Sequence, residues 1–271
     1  MRALCFLVAI ASIPFVCGPA LAQWGPAQTV DNSGDVGYTT SIAYDSDGHP
    51  HIAYVTSTSA LKYAYWDPQG WHIEALSDYG RFPSLALDSG GNPHIAAISS
   101  TARITYWSRA GGVWTNPPLS IPAGSSGYQY GYTPVSATGG QRVSLVLDID
   151  NPNIAYWSQD TQSLIYTYKS GASWPVIAVD TGVNLGQYAS MAIDAAHTVY
   201  IAYYDGGGGD LKFAHKHQAD VAFALASPLD GTGIDVGSYC SLVLDTGGVP
   251  HISYYDATNR QLKHAWITNL P

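Results

Sequence analysis

Cysteine is nearly absent from this 271-residue chain: Cys5, Cys17 and Cys240 are all there is. The first two lie in an N-terminal apolar stretch. Only Cys240 remains beyond it, so no internal disulfide can form and the fold must hold by packing. Glutamate is rarer still, since Glu74 is the one glutamate among 20 acids. Basic residues number 11 and form no cluster, which excludes a nucleic-acid footprint. Beyond the first 22 residues no apolar run reaches the ~18 residues a membrane helix needs. Helical periodicity is nowhere sustained. There is no phosphate-cradling glycine loop, no serine triad and no cysteine nucleophile with an activating neighbour.

What the chain does have begins with MRALCFLVAIASIPFVCGPALAQ. One arginine, a short apolar run and the small-residue pattern Ala20-Leu21-Ala22 read as a signal peptide over residues 1–22. Val16, where a small residue would be needed, argues against a lipoprotein anchored through Cys17. A secreted or periplasmic chain of residues 23–271 is expected, with ten lysines and arginines facing the 20 acids. Its acids are almost all aspartate, a turn former. Twenty tyrosines and eight tryptophans suit β-sheet.

One pattern recurs five times. It reads SIAYDSDGHPHIAY from Ser41, SLALDSGGNPHIAA from Ser84 and SLVLDIDNPNIAYW from Ser144. It returns as SMAIDAAHTVYIAYYD from Ser190 and SLVLDTGGVPHISYYD from Ser241. Spacings of 43, 60, 46 and 51 residues fall in the range of propeller blades. Each unit predicts a strand ending in Asp, a tight turn, a second strand, a third such as LKYAYW and a fourth opening with tryptophan, as at Trp71 and Trp174. The fifth unit stops after its third strand. The segment WGPAQTVD, residues 24–31, matches the missing fourth. The expectation is an all-β, five-bladed β-propeller of four-stranded blades over residues 23–271. Its repeats start near 37, 80, 140, 186 and 237, an insertion spans 125–140, and the N-terminal strand closes the last blade.

The motif S-L-A-L-D-x-x-G-x-P-H-I-x-Y-x-D…L-K-Y-A resembles that of secreted bacterial β-propeller repeat proteins. The resemblance covers the mature chain and implies a five-bladed, lectin-like or sialidase-like architecture. It does not choose between lectin and glycosidase.

Residues that recur in every blade are expected to serve the blade. Asp45, Asp88, Asp148, Asp194 and Asp245 should each hold the turn that follows. His51, His94 and His251 are too far apart to share an ion, so no metal site is expected there. Asp45-Ser46-Asp47-Gly48 has a faint likeness to a calcium loop but lacks its distal glutamate. No cofactor is expected, with calcium the single ion left open. The pair His215 and His217 reads as an exposed strand end. The five serines are expected to bond across the inner strands or to line the channel with hydroxyls.

Binding residues are expected where the blades differ, on the loops entering each first strand. These carry Tyr38, Arg81 with Phe82, Gln141 with Arg142, Gln187 with Tyr188, and Ser238 with Tyr239. Together they should ring the channel mouth, offering aromatic faces for sugars and Arg or amide groups for hydroxyls or carboxylates. Tyr130, with Tyr128 and Tyr132 in the insertion, is a further candidate for recognition. The expected function is a non-catalytic recognition propeller for a glycan or polysaccharide. One alternative is a carbohydrate-active enzyme. A glycoside hydrolase would draw on Asp35, Asp78, Asp160, Asp205 or Asp235. A polyuronide lyase would use Tyr188 or Tyr239 as base, with Arg81 and Arg142 for the substrate carboxylate. The other alternative is a scaffold that binds a protein partner.

Overall fold

The turn-rich sequence folds as five antiparallel sheets in which consecutive strands pair, with no helix among the described residues. The computed structural model describes residues 26–100, 103–115, 142–158, 161–226, 228–231 and 233–267. The first sheet holds β1 (Val36–Tyr44), β2 (Pro50–Thr56), β3 (Leu61–Asp67) and β4 (Gly70–Ser77). The second holds β5 (Arg81–Leu87), β6 (Pro93–Ile98), β7 (Ile104–Ala110) and β8 (Val113–Thr115). The third comprises β9 (Val143–Asp148), β10 (Asn151–Ser158), β11 (Ser163–Tyr168) and β12 (Val176–Asp180). The fourth comprises β13 (Leu185–Ile193), β14 (Val199–Asp205), β15 (Asp210–Lys216) and β16 (Ala224–Leu225). The fifth has three strands, β17 (Val236–Leu244), β18 (Pro250–Asp256) and β19 (Gln261–Trp266).

The nineteen strands of the described residues belong to one unit, Asp31–Pro271. Residues 26–30 fall outside it and carry no strand. Trp24, expected to open the closing strand, lies outside the described residues. So does the insertion 125–140, Tyr130 included.

The sheets pack in chain order, β1 on β5, β5 on β9, β9 on β13 and β13 on β17. Between them lie four apolar cores. Ala53, Val55, Leu61 and Tyr63 of the first sheet meet Leu85, Ile95 and Ala97 of the second. Leu164 and Tyr166 meet Met191 and Ile201 in the same way. Burying each such leucine or isoleucine contributes about 1.5–3 kcal/mol. Close packing also explains two glycines. Gly186 and Gly237 both have φ of +107°, and a Cβ there would lie 2.6 and 2.7 Å from the Cα atoms of Leu164 and Leu211. Each glycine lets its strand press against the start of the preceding sheet's third strand.

Two polar devices join neighbouring sheets. The first is a serine on each inner strand. Ser41, Ser84, Ser144 and Ser190 accept hydrogen bonds from the backbone N–H groups of Leu85, Leu145, Met191 and Leu242, at 2.9–3.0 Å. The expected serine bonds therefore run between sheets. The second is an aspartate ahead of a sheet's first strand. Asp180 accepts from Tyr203 at 2.6 Å and Lys212 at 2.9 Å. Asp230 accepts from Tyr254 and Lys263. Asp31 accepts from Tyr54 at 2.7 Å and Lys62 at 2.9 Å. Burial opposes the charge of Asp31, but bonds from Tyr54, Ser33 and Lys62 outweigh it and hold the carboxyl well below its usual range.

Four of the five strand-ending aspartates cap turns as expected. Asp45, Asp88, Asp194 and Asp245 each accept two backbone N–H bonds from the turn that follows. Asp148 departs from this. Its hairpin has only Ile149 and Asp150 between the strands, both at positive φ, so there is no longer turn to cap. Asp148 pairs with His197 of the next sheet instead, at 2.7 Å.

Ser84→Ala leaves the Leu145 N–H without its acceptor. It should lower unfolding free energy by about 1–3 kcal/mol in a denaturant titration. A change below about 0.5 kcal/mol would mean that the bond is not needed between the sheets.

Candidate functional site

The inner strands surround a cavity of about 570 Å³. Its lining follows one rule. The residue two before each inner-strand serine faces it, giving Thr39, Phe82, Arg142, Tyr188 and Tyr239. Behind them the wall is made by Ser41, Ser84, Ser144 and Ser190 and the residues just before them.

Backbone geometry sets this ring. Phe82, Tyr188 and Tyr239 have φ of 50°, 54° and 55°, the left-handed region that bulky residues avoid. Each sits where the register between first and second strand shifts. The bulge turns that side chain into the cavity and the preceding one away from it. Holding an aromatic residue there costs of order 1–3 kcal/mol, and such strain concentrates at functional sites.

The ring is aromatic with one cation. The Tyr188 and Tyr239 rings lie with centroids 4.5 Å apart and planes tilted by 46°, Tyr188 buried and Tyr239 open. Burial, together with the hydrogen bond to Tyr239, pushes the Tyr188 phenol above its ordinary pKa. Beneath them Cys240 donates its thiol to the Tyr188 carbonyl at 3.0 Å. Burial pushes that thiol up to about 12, so it is a packing residue rather than a nucleophile. Among the described residues no carboxylate lines the cavity.

The structure thus sorts the residues expected to bind. Phe82, Arg142, Tyr188 and Tyr239 converge on the cavity. Tyr38, Arg81 and Gln187 do not line it, because they stand one residue earlier on strands whose side chains alternate. The Tyr38 hydroxyl donates to Asp35 at 2.9 Å. The Arg81 guanidinium lies 5.7 Å from the Phe82 ring centroid. Gln187 lies beside the turn at Gly206. Tyr130 and Gln141 are outside the described residues. Thr39 was missed, having neither an aromatic ring nor a charge to draw attention.

No family model matches the chain, and no curated protein sequence matches it. Solved structures do match in shape. A triple arginine-to-alanine variant of AofleA from Arthrobotrys oligospora aligns over 89% of this chain and 72% of its own, at 10% identity and a TM-score of 0.57. The SapL1 lectin, solved with α-methyl fucoside, aligns over 84% of this chain and 78% of its own, at 14% identity and 0.56. The Aleuria aurantia lectin, a six-bladed β-propeller with a fucose recognition mode, aligns over 86% and 77%, at 12% identity and 0.52. The fold is a β-propeller.

The propeller's most enzyme-like constellation lies away from the cavity. His51 Nδ1 meets the Tyr63 hydroxyl at 2.5 Å while Nε2 lies 3.6 Å from Asp45. His94 repeats this with Tyr106 and Asp88. Such Asp-His-Tyr series suggest a proton relay, but they are buried between sheets. In the third sheet Asn153 fills the same place and accepts from Tyr166 at 2.5 Å. An amide cannot relay protons, so the shared task is to hold the tyrosine. Asp45, Asp47 and His49 could gather oxygen and nitrogen atoms around an ion. Asp45, however, already accepts from the backbone of Asp47 and His49, and its other oxygen meets the His49 ring at 3.1 Å. His215, expected to be exposed, is buried, its ring stacked on Phe213 and edge-on to His217.

Burial depresses the pKa of His51 and His94 below 6.5, against the pull of Asp45 and Asp88. The unfolded chain therefore takes up protons first as pH falls through 6.5. Stability should be complete above that value and decline below it. The double variant His51→Asn, His94→Asn should remain folded and lose less melting temperature between pH 7.5 and 5.5 than the parent. An equal loss in both would remove these histidines from the account.

Proposed function

We propose that this propeller is an exported carbohydrate-binding protein whose ligand sits in the central cavity. The carrying observation is the ring of Phe82, Tyr188 and Tyr239 held in left-handed backbone at the wall of a 570 Å³ cavity. Aromatic faces stack on the apolar faces of sugars, while the hydroxyls behind them and Arg142 bond sugar oxygens. The fucoside-bound SapL1 and the Aleuria aurantia lectin lend the reading support, since both carry saccharide recognition on this architecture. Binding suits the ring better than turnover. Hydrolysis by a carboxylate pair finds no carboxylate in the lining. Elimination needs a base that gives up its proton near neutral pH, and the Tyr188 phenol is shifted the opposite way. A glycan array with the purified chain should show reproducible binding. Tyr239→Ala, which removes an exposed ring, should weaken it by about tenfold or more. A blank array, or an undiminished Tyr239→Ala variant, would remove the cavity as a carbohydrate site.

The finer architecture proposed is a ring of five blades closed by residues 24–31. The fifth sheet and the first carry matching, unjoined halves of the joint seen four times elsewhere. Leu262 is 83% exposed, whereas its equivalents Leu61, Leu164 and Leu211 are fully buried. Gly37, φ +88°, has the conformation of Gly186 and Gly237 but faces open space. Among the described residues no bond joins Ser241 to the Ile42 N–H, and Val243, Trp266 and Ile42 are exposed. Asp31 already holds Tyr54 and Lys62, as Asp180 holds its own pair at the end of a fourth strand. Closing this joint would bury the last apolar faces and remove both open sheet edges. If it closes, Ser241→Ala should cost as much stability as Ser84→Ala, and deleting residues 23–30 should sharply lower the melting temperature. Neutral results in both would leave the joint open.

A further inference from the structure

The central cavity is charged with one sign only. Among the described residues Arg142 is the one ionic residue lining it, and no aspartate or glutamate does. Arg81 stands just behind, its guanidinium over the outer face of the Phe82 ring. Neither arginine forms an ion pair among the described residues. Four cations elsewhere, Lys62, Arg109, Lys212 and Lys263, each lie on a carboxylate instead.

A cation in a concave, partly apolar wall focuses positive potential into the cavity. The guanidinium fork matches a carboxylate or sulfate with two parallel bonds, and such charge-assisted bonds are roughly twice as strong as neutral ones. Around it Phe82, Tyr188 and Tyr239 offer faces for a sugar ring, and Thr39 adds a hydroxyl. A neutral sugar offers the arginine only hydroxyls. An acidic sugar offers it an anion.

Building on the carbohydrate reading above, we propose that the cavity is specific for an acidic saccharide, with a ring carboxylate or sulfate bound to Arg142 and steered by Arg81. Isothermal titration of the purified chain would compare three probes: a galacturonate trisaccharide, its carboxyl-reduced neutral counterpart and a sulfated galactose oligosaccharide. At about 0.02 M salt at least one charged probe should bind about tenfold or more tighter than the neutral one. That advantage should shrink at about 0.5 M salt. Arg142→Gln should abolish this difference between charged and neutral probes, Arg142→Lys should restore part, and Arg81→Gln should reduce it less. Should Arg142→Gln fail to fold, the salt dependence and Arg81→Gln still decide. Equal affinity for neutral and charged probes, or a preference untouched by Arg142→Gln, overturns the acidic specificity and leaves the carbohydrate reading standing. No binding of any probe, charged or neutral, overturns both. The relative affinity of the carboxylated and sulfated probes identifies which anion the arginine takes.

Discussion

A single hydrogen bond type sets the geometry of this protein: the serine hydroxyl of one inner strand on the backbone N–H of the next. Ser41, Ser84, Ser144 and Ser190 each accept from the residue immediately after the following serine, Leu85, Leu145, Met191 and Leu242 in turn. Strand register is therefore handed from sheet to sheet. A slip by one residue would exchange the two faces of a strand and empty the apolar cores. It would also rotate the cavity residues away from the cavity, since they stand two positions before these serines. Scaffold and site depend on the same bond.

Charge in this molecule divides by task. Asp31, Asp180 and Asp230 hold tyrosine–lysine pairs of the sheets that follow them. The turn aspartates hold backbone N–H groups, which cost no lysine. Among the described residues the acids are thus engaged in the scaffold, and none lines the cavity. Buried His51 and His94 follow the same logic, each holding a tyrosine hydroxyl.

Much of the architecture was legible because it is periodic. The serine, the turn aspartate and the Pro-His-Ile strand recur at blade spacing, and four sheets of four strands follow from them. The cavity residues were legible only in pairs. Gln187 with Tyr188, or Arg81 with Phe82, could be assigned to the right loops but not to the right faces. The deciding fact is a bulge with one left-handed residue, and no propensity announces an aromatic residue in that conformation. His215 was misplaced for a related reason: an alternating polar strand end looks exposed until a neighbouring element covers it. Asp148 shows the opposite case, where a two-residue turn removed the backbone its neighbours' equivalents cap.

Propellers built from like units invite the thought of like sites, one per blade. The ring around this cavity points elsewhere. Thr39, Phe82, Arg142, Tyr188 and Tyr239 occupy equivalent places, yet no two neighbours except the tyrosines share a chemistry. A molecule at the centre meets them in one fixed order around the axis. Rotating it by one blade would put a hydroxyl where a cation had been. The symmetry that builds the walls is thereby cancelled at the mouth, and a ligand of the kind proposed would have one orientation in which all its groups are answered.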